Sequence, residues 1–328
     1  MNKVLMGAVA ALGLGAGSAF AADEVRLQLQ WVTQAQFAGY YVALENGYYE
    51  EEDLDVTVLA GGPDIAPPQV LAGGGADAML NWMPSALAAR EKGLPVVNIA
   101  QPFKTSGLML TCWKDTGITG PQDFKGKTIG VWVFGNEYPF LSWMSQEGIS
   151  TDGGDDGVTV LKQGFNVDPR LQRQADCIST MTYNEYGQVL DAGVSEDELV
   201  TFKYEDMGVA TLEDGIYVLE ENLADPAFKD KMVRFVRASM KGWKWAEENP
   251  MEAAMIVLDN DETGAQTEGH QIRMMGEIAK LTAGSDGSLD PADFDRTVAT
   301  LLAGGSDPVI TAVPEGAWTS DITDAALN

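Results

Sequence analysis

Aromatic and amide side chains gather just ahead of a predicted helix in the stretch WVTQAQFAGYYVALENGYYEEE, residues 31–52. Trp31 offers a face on which a flat ring can stack, and Gln34 and Gln36 each bring a carbonyl and two N–H groups for the edge of that ring. Such a set suits a flat, polar, uncharged molecule. Phe37, Tyr40, Tyr41 and Leu44 follow three-and-four spacing, which predicts one face of a helix capped by Asn46-Gly47. Trp31 and Phe37 fit a core equally well, and together with Tyr40 they enter the candidate site.

The same chemistry recurs behind other predicted strands. Residues 56–59 lead into Gly61-Gly62-Pro63-Asp64, and 76–80 into Asn81-Trp82-Met83-Pro84-Ser85. Residues 128–133 lead into FGNEYP, and 175–181 into Thr182-Tyr183-Asn184-Glu185-Tyr186. Gly62 would let backbone N–H groups approach a ligand at a helix start. Trp82 and Tyr138 add stacking faces, Asn81, Tyr183 and Asn184 add hydrogen-bonding edges, and Glu137 can accept from an exocyclic amine or ring N–H. Asp64 reads as a helix cap or as a site residue. Each residue alone could serve a turn; four such loops on one side of two sheets point to a ligand.

Catalytic readings find little support. His270 is the only histidine, so a His-based triad or multi-His metal site is excluded, and neither G-x-S-x-G nor H-E-x-x-H occurs. Gly126-Lys127-Thr128 has Pro121 where a phosphate loop needs its leading glycine. Residues 259–264 begin like a calcium loop, but His270 stands where a bidentate Glu is required, and 152–157 puts Gly154 at a ligand position. No enzyme activity, cofactor or metal is expected. The 49 acidic against 21 basic residues, a formal charge of −28, argue against nucleic acid. Cys112 and Cys177 both fall in apolar, strand-like runs, where a disulfide and buried free thiols are both compatible with an oxidising compartment.

The elements that must position these groups alternate short β-rich runs with helices. Runs at 25–30, 56–59, 76–80 and 96–100 form one set, and 108–113, 128–133, 158–161 and 175–181 a second. The alternation predicts an α/β chain of two lobes, each a largely parallel sheet flanked by helices. Helical faces at 228–248, 251–258, 265–281 and 291–302 follow a return strand at 211–219, which places the helical tail on the first lobe. The expected division is lobe 1 from 22–105 with 208–328 and lobe 2 from 106–207, hinged near 101–106 and 205–209. Residues 1–21 carry Lys3, an apolar run at 4–14 and Ala19-Phe20-Ala21, a cleavable secretory signal. No later run reaches the roughly 18 apolar residues of a membrane span.

Residues 31–43, the run GGPDIAPPQVLAGGGAD at 61–77, Asn81-Trp82-Met83-Pro84-Ser85 with its helix, and VWVFGNE at 131–137 together resemble the exported solute-binding proteins of ABC importers. The group is the one related to thiamine-pyrimidine synthase and, more distantly, to sulfonate and taurine receptors. The resemblance covers most of the mature chain. It implies a two-lobed type II binding protein, monomeric and free in the periplasm, that closes over a small molecule and delivers it to an inner-membrane permease. Pyrimidine binders of that family use an aromatic near the first helix and a glutamate after a second-lobe strand, which map here to Trp31 and Glu137. Gln34 or Gln36 and then Phe37 stand where those relatives carry Asn and then His, and the cysteine-rich motif of the eukaryotic synthases is absent. The expected function is capture of a heteroaromatic nutrient such as a thiamine-pyrimidine precursor. The alternatives are an anion receptor of the sulfonate or taurine type built on the Gly61-Gly62 loop, a flavin or nucleobase receptor, and an exported pyrimidine-acting enzyme.

Overall fold

A computed structural model describes residues 22–133, 135–164, 166–303 and 308–328; the expected signal segment, 1–21, lies outside the described residues. The strands are β1 (Asp23–Gln28), β2 (Leu54–Leu59), β3 (Ala78–Asn81), β4 (Val96–Ala100), β5 (Leu108–Trp113), β6 (Thr128–Val131), β7 (Thr159–Lys162), β8 (Cys177–Met181), β9 (Leu199–Lys203) and β10 (Gly215–Leu219). They pair into two sheets, β2-β1-β3-β10-β4 and β7-β6-β8-β5-β9. Helices α1 (Ala38–Glu45), α2 (Pro67–Ala72) and α3 (Met83–Glu91) connect strands of the first sheet. Helices α4 (Tyr138–Gln146), α5 (Asp168–Leu171), α6 (Glu185–Asp191) and α7 (Tyr204–Met207) belong to the second segment. After β10 come α8 (Pro226–Glu248), α9 (Pro250–Asp259), α10 (Glu268–Thr282), α11 (Pro291–Leu302) and α12 (Asp321–Leu327).

The sheets are mixed, where the alternation of elements predicts largely parallel ones. β1, β2 and β3 are parallel, but β10 runs antiparallel to β3 and β4; β6, β7 and β8 are parallel, but β5 runs antiparallel to β8 and β9. The reason is geometric. The chain leaves β4 and β9 at their carboxyl ends, crosses to the other sheet at that same end, and must run away from it in β5 and β10. β9 is absent from the sequence reading because only Leu199 and Phe202 of its five residues are buried.

The two crossings are tied together. One Glu213 carboxylate oxygen accepts from Ser106 Oγ (2.5 Å) and from the backbone N–H groups of Gly107 (2.9 Å) and Leu108 (3.2 Å), while Gln101 donates to the Glu213 carbonyl. On the far side of the first sheet, α1 crosses α8 at two glycines. A Cβ on Gly242 would stand 2.1 Å from the Gly39 carbonyl oxygen, and one on Gly39 would stand 2.2 Å from the Trp243 ring. Trp243 in turn meets Tyr40 and Phe103 edge-on, with centroids 5.6 and 5.7 Å apart. The tail, expected on the first lobe alone, also reaches the second: Arg273 of α10 makes a two-pronged ion pair with Asp191 at the end of α6 (2.7 and 2.8 Å).

Cys112 and Cys177 form a disulfide between directly opposed residues of β5 and β8, their Cα atoms 4.0 Å apart. The Trp113 N–H bonds to the Asp176 carbonyl just beyond them (3.1 Å), which marks the pair as a narrow, non-hydrogen-bonded one. Closing a loop of 65 residues restricts the unfolded chain by about 4 kcal/mol. The double substitution Cys112→Ser with Cys177→Ser should therefore lower unfolding stability by about that amount in chemical denaturation. A change below about 1 kcal/mol would show that the bridge does not constrain the unfolded state.

Candidate ligand-binding site

A cavity lies where the carboxyl ends of the two sheets face each other. Gln30, Trp31, Gln34, Gln36 and Trp82 line it from the first sheet, and Trp132, Asn136, Met181, Tyr183, Asn184 and Glu185 from the second. These residues sit in the loops that follow β1, β3, β6 and β8, with Met181 ending β8 itself, as expected for a crevice beyond strand ends. Trp31 and Trp132 meet edge to face across it, centroids 6.5 Å apart. Gln30 fixes the next loop by accepting the Trp82 N–H (2.9 Å). Gly61 has to be glycine because a Cβ there would stand 2.4 Å from the Leu29 carbonyl oxygen; its N–H bonds to the Trp31 carbonyl (2.9 Å) and is not directed at a ligand.

Behind the aromatic walls runs a buried set of amides and acids. Gln36 Nε2 donates to Asp214 Oδ2 (2.5 Å), Gln34 Nε2 to Gln36 Oε1 (2.6 Å), and Asn184 Nδ2 to Gln34 Oε1 (3.4 Å) and Glu185 Oε1 (2.8 Å). Glu185 Oε2 accepts the Met181 N–H (3.0 Å), and Gln271 of α10 accepts the Ala35 N–H (2.6 Å). Burial pushes the Glu185 carboxyl up to about 7 against the opposing pull of the Met181 N–H and the Asn184 amide. Asp214 is pushed up to about 7 in the same way, with Gln36 opposing. Glu213 is raised further by burial and by Asp214 beside it, and Tyr183 is raised by burial and by the charges of Glu213, Asp214 and Glu185. Neither Lys nor Arg is among the described residues lining the cavity.

Of the residues singled out from sequence, Trp31, Gln34, Gln36, Trp82, Tyr183 and Asn184 come together here. Gly62 and Asn81 line an adjoining recess that shares Gln30, Trp31 and Asn136 with the main cavity. The others stand elsewhere. Phe37 is wholly buried in the core, and Tyr40 packs against Trp243, so the helical face they share turns to the hydrophobic interior. Asp64 is exposed and is not the cap of α2, whose N-cap is Ala66. Glu137 does not line the cavity: Gly135, at φ +101°, reverses the chain, and the Glu137 carboxylate folds back onto the Gly135 N–H (2.7 Å) in an outer groove. Tyr138 lines the same groove and packs on the cluster containing Met83 and Leu87.

The sequence reading missed Gln30, Trp132, Asn136, Met181 and Glu185. Trp132 was findable, because it follows β6 as Trp82 follows β3. The carboxylate of the cavity comes from the loop after β8, not from the one after β6.

A family model described as NMT1/THI5 like matches residues 34–253. The chain belongs to the NMT1/THI5-like family. A formylaminopyrimidine-binding protein of Halalkalibacterium halodurans is 27% identical to it over 291 residues, covering 86% of each chain. A riboflavin-binding protein, RibY, of Chloroflexus aurantiacus is 27% identical over 243 residues, 72% of this chain and 66% of that one. Among solved structures, the periplasmic sulfonate-binding protein SsuA of Methylobacillus flagellatus superposes with a TM-score of 0.63 at 17% identity, covering 94% of both chains. The fold is thus that of the two-lobed periplasmic binding proteins. No helix among the described residues is long and apolar enough to cross a membrane.

In this NMT1/THI5-like protein the buried acids set a pH dependence whose sign is fixed. Glu185 and Asp214 keep their protons up to about pH 7 when folded but would ionise near their ordinary values of 4.5 and 3.8 when unfolded. Between those limits the folded state binds more protons, so stability falls as pH rises towards 7 and then levels. The ligand-free protein should melt at a higher temperature at about pH 5.5 than at about pH 8, and Glu185→Gln should flatten the difference. Equal wild-type melting temperatures would show that these carboxyls ionise as freely folded as unfolded.

Proposed function

We propose that the protein is the substrate-binding component of an ABC importer and captures a small heteroaromatic nutrient, of the aminopyrimidine class, in the cavity between its lobes. The observation that carries this reading is the lining itself: three tryptophans and a tyrosine, five amides, one buried carboxylate and no cation among the described residues. Aromatic faces supply stacking, Gln34 and Gln36 match ring donors and acceptors, and Glu185 accepts from an exocyclic amine or a protonated ring nitrogen. The Trp82 indole N–H, buried without a partner among the described residues, offers one more donor.

An anion receptor is disfavoured on the same ground. Glu185 would repel a sulfonate, and α2 opens with Pro67 and Pro68, which lack two of the N–H groups an anion needs at a helix start. No nucleophile is joined to a general base among the described residues lining the cavity, which supports capture as the reading. Ligand would favour the closed arrangement of the lobes, the form a permease in the inner membrane would select from the periplasm.

Differential melting of the mature protein against aminopyrimidines, nucleobases, riboflavin, taurine and alkyl sulfonates tests the class. Stabilisation by an aminopyrimidine is the expected result; stabilisation by sulfonates alone would overturn the ligand class. For the ligand so found, Trp31→Ala and Glu185→Gln should each weaken binding by about tenfold or more in calorimetry. Glu137→Gln, remote from the cavity, should leave affinity unchanged, and a loss there equal to that of Glu185→Gln would restore the other glutamate to the site.

A further inference from the structure

We propose that His270, which does not line the cavity, is a positioning residue: it closes one continuous chain of hydrogen bonds whose direction two carboxylates impose, and by anchoring Asn184 it holds the edges that Gln34 and Gln36 show to a ligand. The proposal rests on the cavity being the ligand site. Its chain runs His270, Asn184, Gln34, Gln36, Asp214, with contacts of 2.8, 3.4, 2.6 and 2.5 Å.

Amide oxygen and nitrogen have the same outline, so the direction must come from groups that can only accept. An ionised carboxylate is such a group. At one end, Asp214 obliges Gln36 to present its nitrogen, which leaves the Gln36 oxygen for Gln34 and the Gln34 oxygen for Asn184. Independently, Glu185 accepts from Asn184 at 2.8 Å, so the Asn184 nitrogen must face Glu185 and Gln34 together. Both carboxylates impose the same sense. The Asn184 oxygen is then turned to Gln188 Nε2 (2.9 Å) and His270 Nε2 (2.8 Å), and both must donate.

A neutral imidazole meets that requirement in one tautomer, with its proton on Nε2. The other nitrogen, Nδ1, has no hydrogen-bond partner among the described residues and stands 3.8 Å from Asp191, itself held by Arg273. Burial holds the ring below its ordinary pKa, with Asp191 opposing and Arg273 assisting, which favours the neutral form.

Asn184 now has both lone pairs and both N–H groups spent, and offers no free polar edge. Gln34 and Gln36 each keep one N–H and one lone pair in a fixed arrangement. Discrimination between ring isomers with donor and acceptor exchanged would come from these two glutamines, oriented by the carboxylates and held in place through Asn184 by a histidine on α10.

His270 is the only histidine of the chain, so ¹⁵N-histidine labelling gives a single imidazole signal. Long-range ¹H–¹⁵N correlation on the ligand-free protein, above pH 8 where both carboxylates are ionised, should show the Nε2–H tautomer as the dominant species. A dominant Nδ1–H pattern, or an averaged signal of two tautomers, would overturn the proposal whatever the ligand is. A second readout uses 4-amino-2-methylpyrimidine and 2-methylpyrimidin-4-one, in which the exocyclic donor at C4 becomes an acceptor and a ring nitrogen changes from acceptor to donor. His270→Leu should compress the wild-type ratio of their affinities by about tenfold, and His270→Gln, which can donate from its own Nε2, should restore it. An equal loss for both compounds that Gln does not rescue would assign His270 a merely structural role. If neither compound binds the wild type, the ligand reading fails, and the imidazole spectrum alone decides the proposal.

Discussion

Both crossings between the sheets lie at the carboxyl ends of the strands, and the rest of the molecule follows from that placement. It reverses β5 and β10, brings the loops after β1, β3, β6 and β8 face to face, and puts the connecting segments beneath the cavity. A polar crossing buried in this way is stable only if its groups are paired. Glu213 meets the need by gathering donors from Ser106, Gly107 and Leu108, so that one crossing is bonded to the other.

The cavity that results carries acids in its wall and behind it while cations stay outside. Charged pairs such as Arg273 with Asp191 stand at the periphery, where solvent screens them. Inside, Glu185 occupies the first position of α6, so its carboxylate faces the positive end of a helix and the Met181 N–H at once. Those contacts offset only part of the cost of desolvation, which leaves a group able to hold or release its proton near neutrality. On the proposed reading, a ligand with an amino group or a protonatable ring would supply the missing counterpart.

Much of this architecture was legible in the residues. β4, β5 and α11 fall on the expected boundaries because continuous apolar runs and a Pro-initiated helical face leave little ambiguity. Strand direction was not legible, since periodicity reports burial and not polarity. β9 escaped because it is a short, half-exposed edge strand that follows an acidic turn, and its three apolar residues Leu199, Val200 and Phe202 do not alternate cleanly. The loops that line the cavity are those that follow the expected strand ends, yet which side chain of each loop turns inward depends on tertiary structure: Gly135 sends Asn136 into the cavity and Glu137 out of it. His270 meets Asn184 across a separation of 86 residues, a pairing that no local pattern encodes.

The crossing of α1 and α8 has a consequence for how this chain can change over generations. Gly39 and Gly242 touch through backbone and ring atoms with no room for a single added carbon. A side chain gained at either position must push the helices apart, and the helix that moves is the one whose first turn adjoins the glutamines of the cavity wall. Descendants of this sequence are therefore expected to keep or lose the two glycines together, so that the pair becomes an inherited mark of the cavity geometry although neither residue lines it.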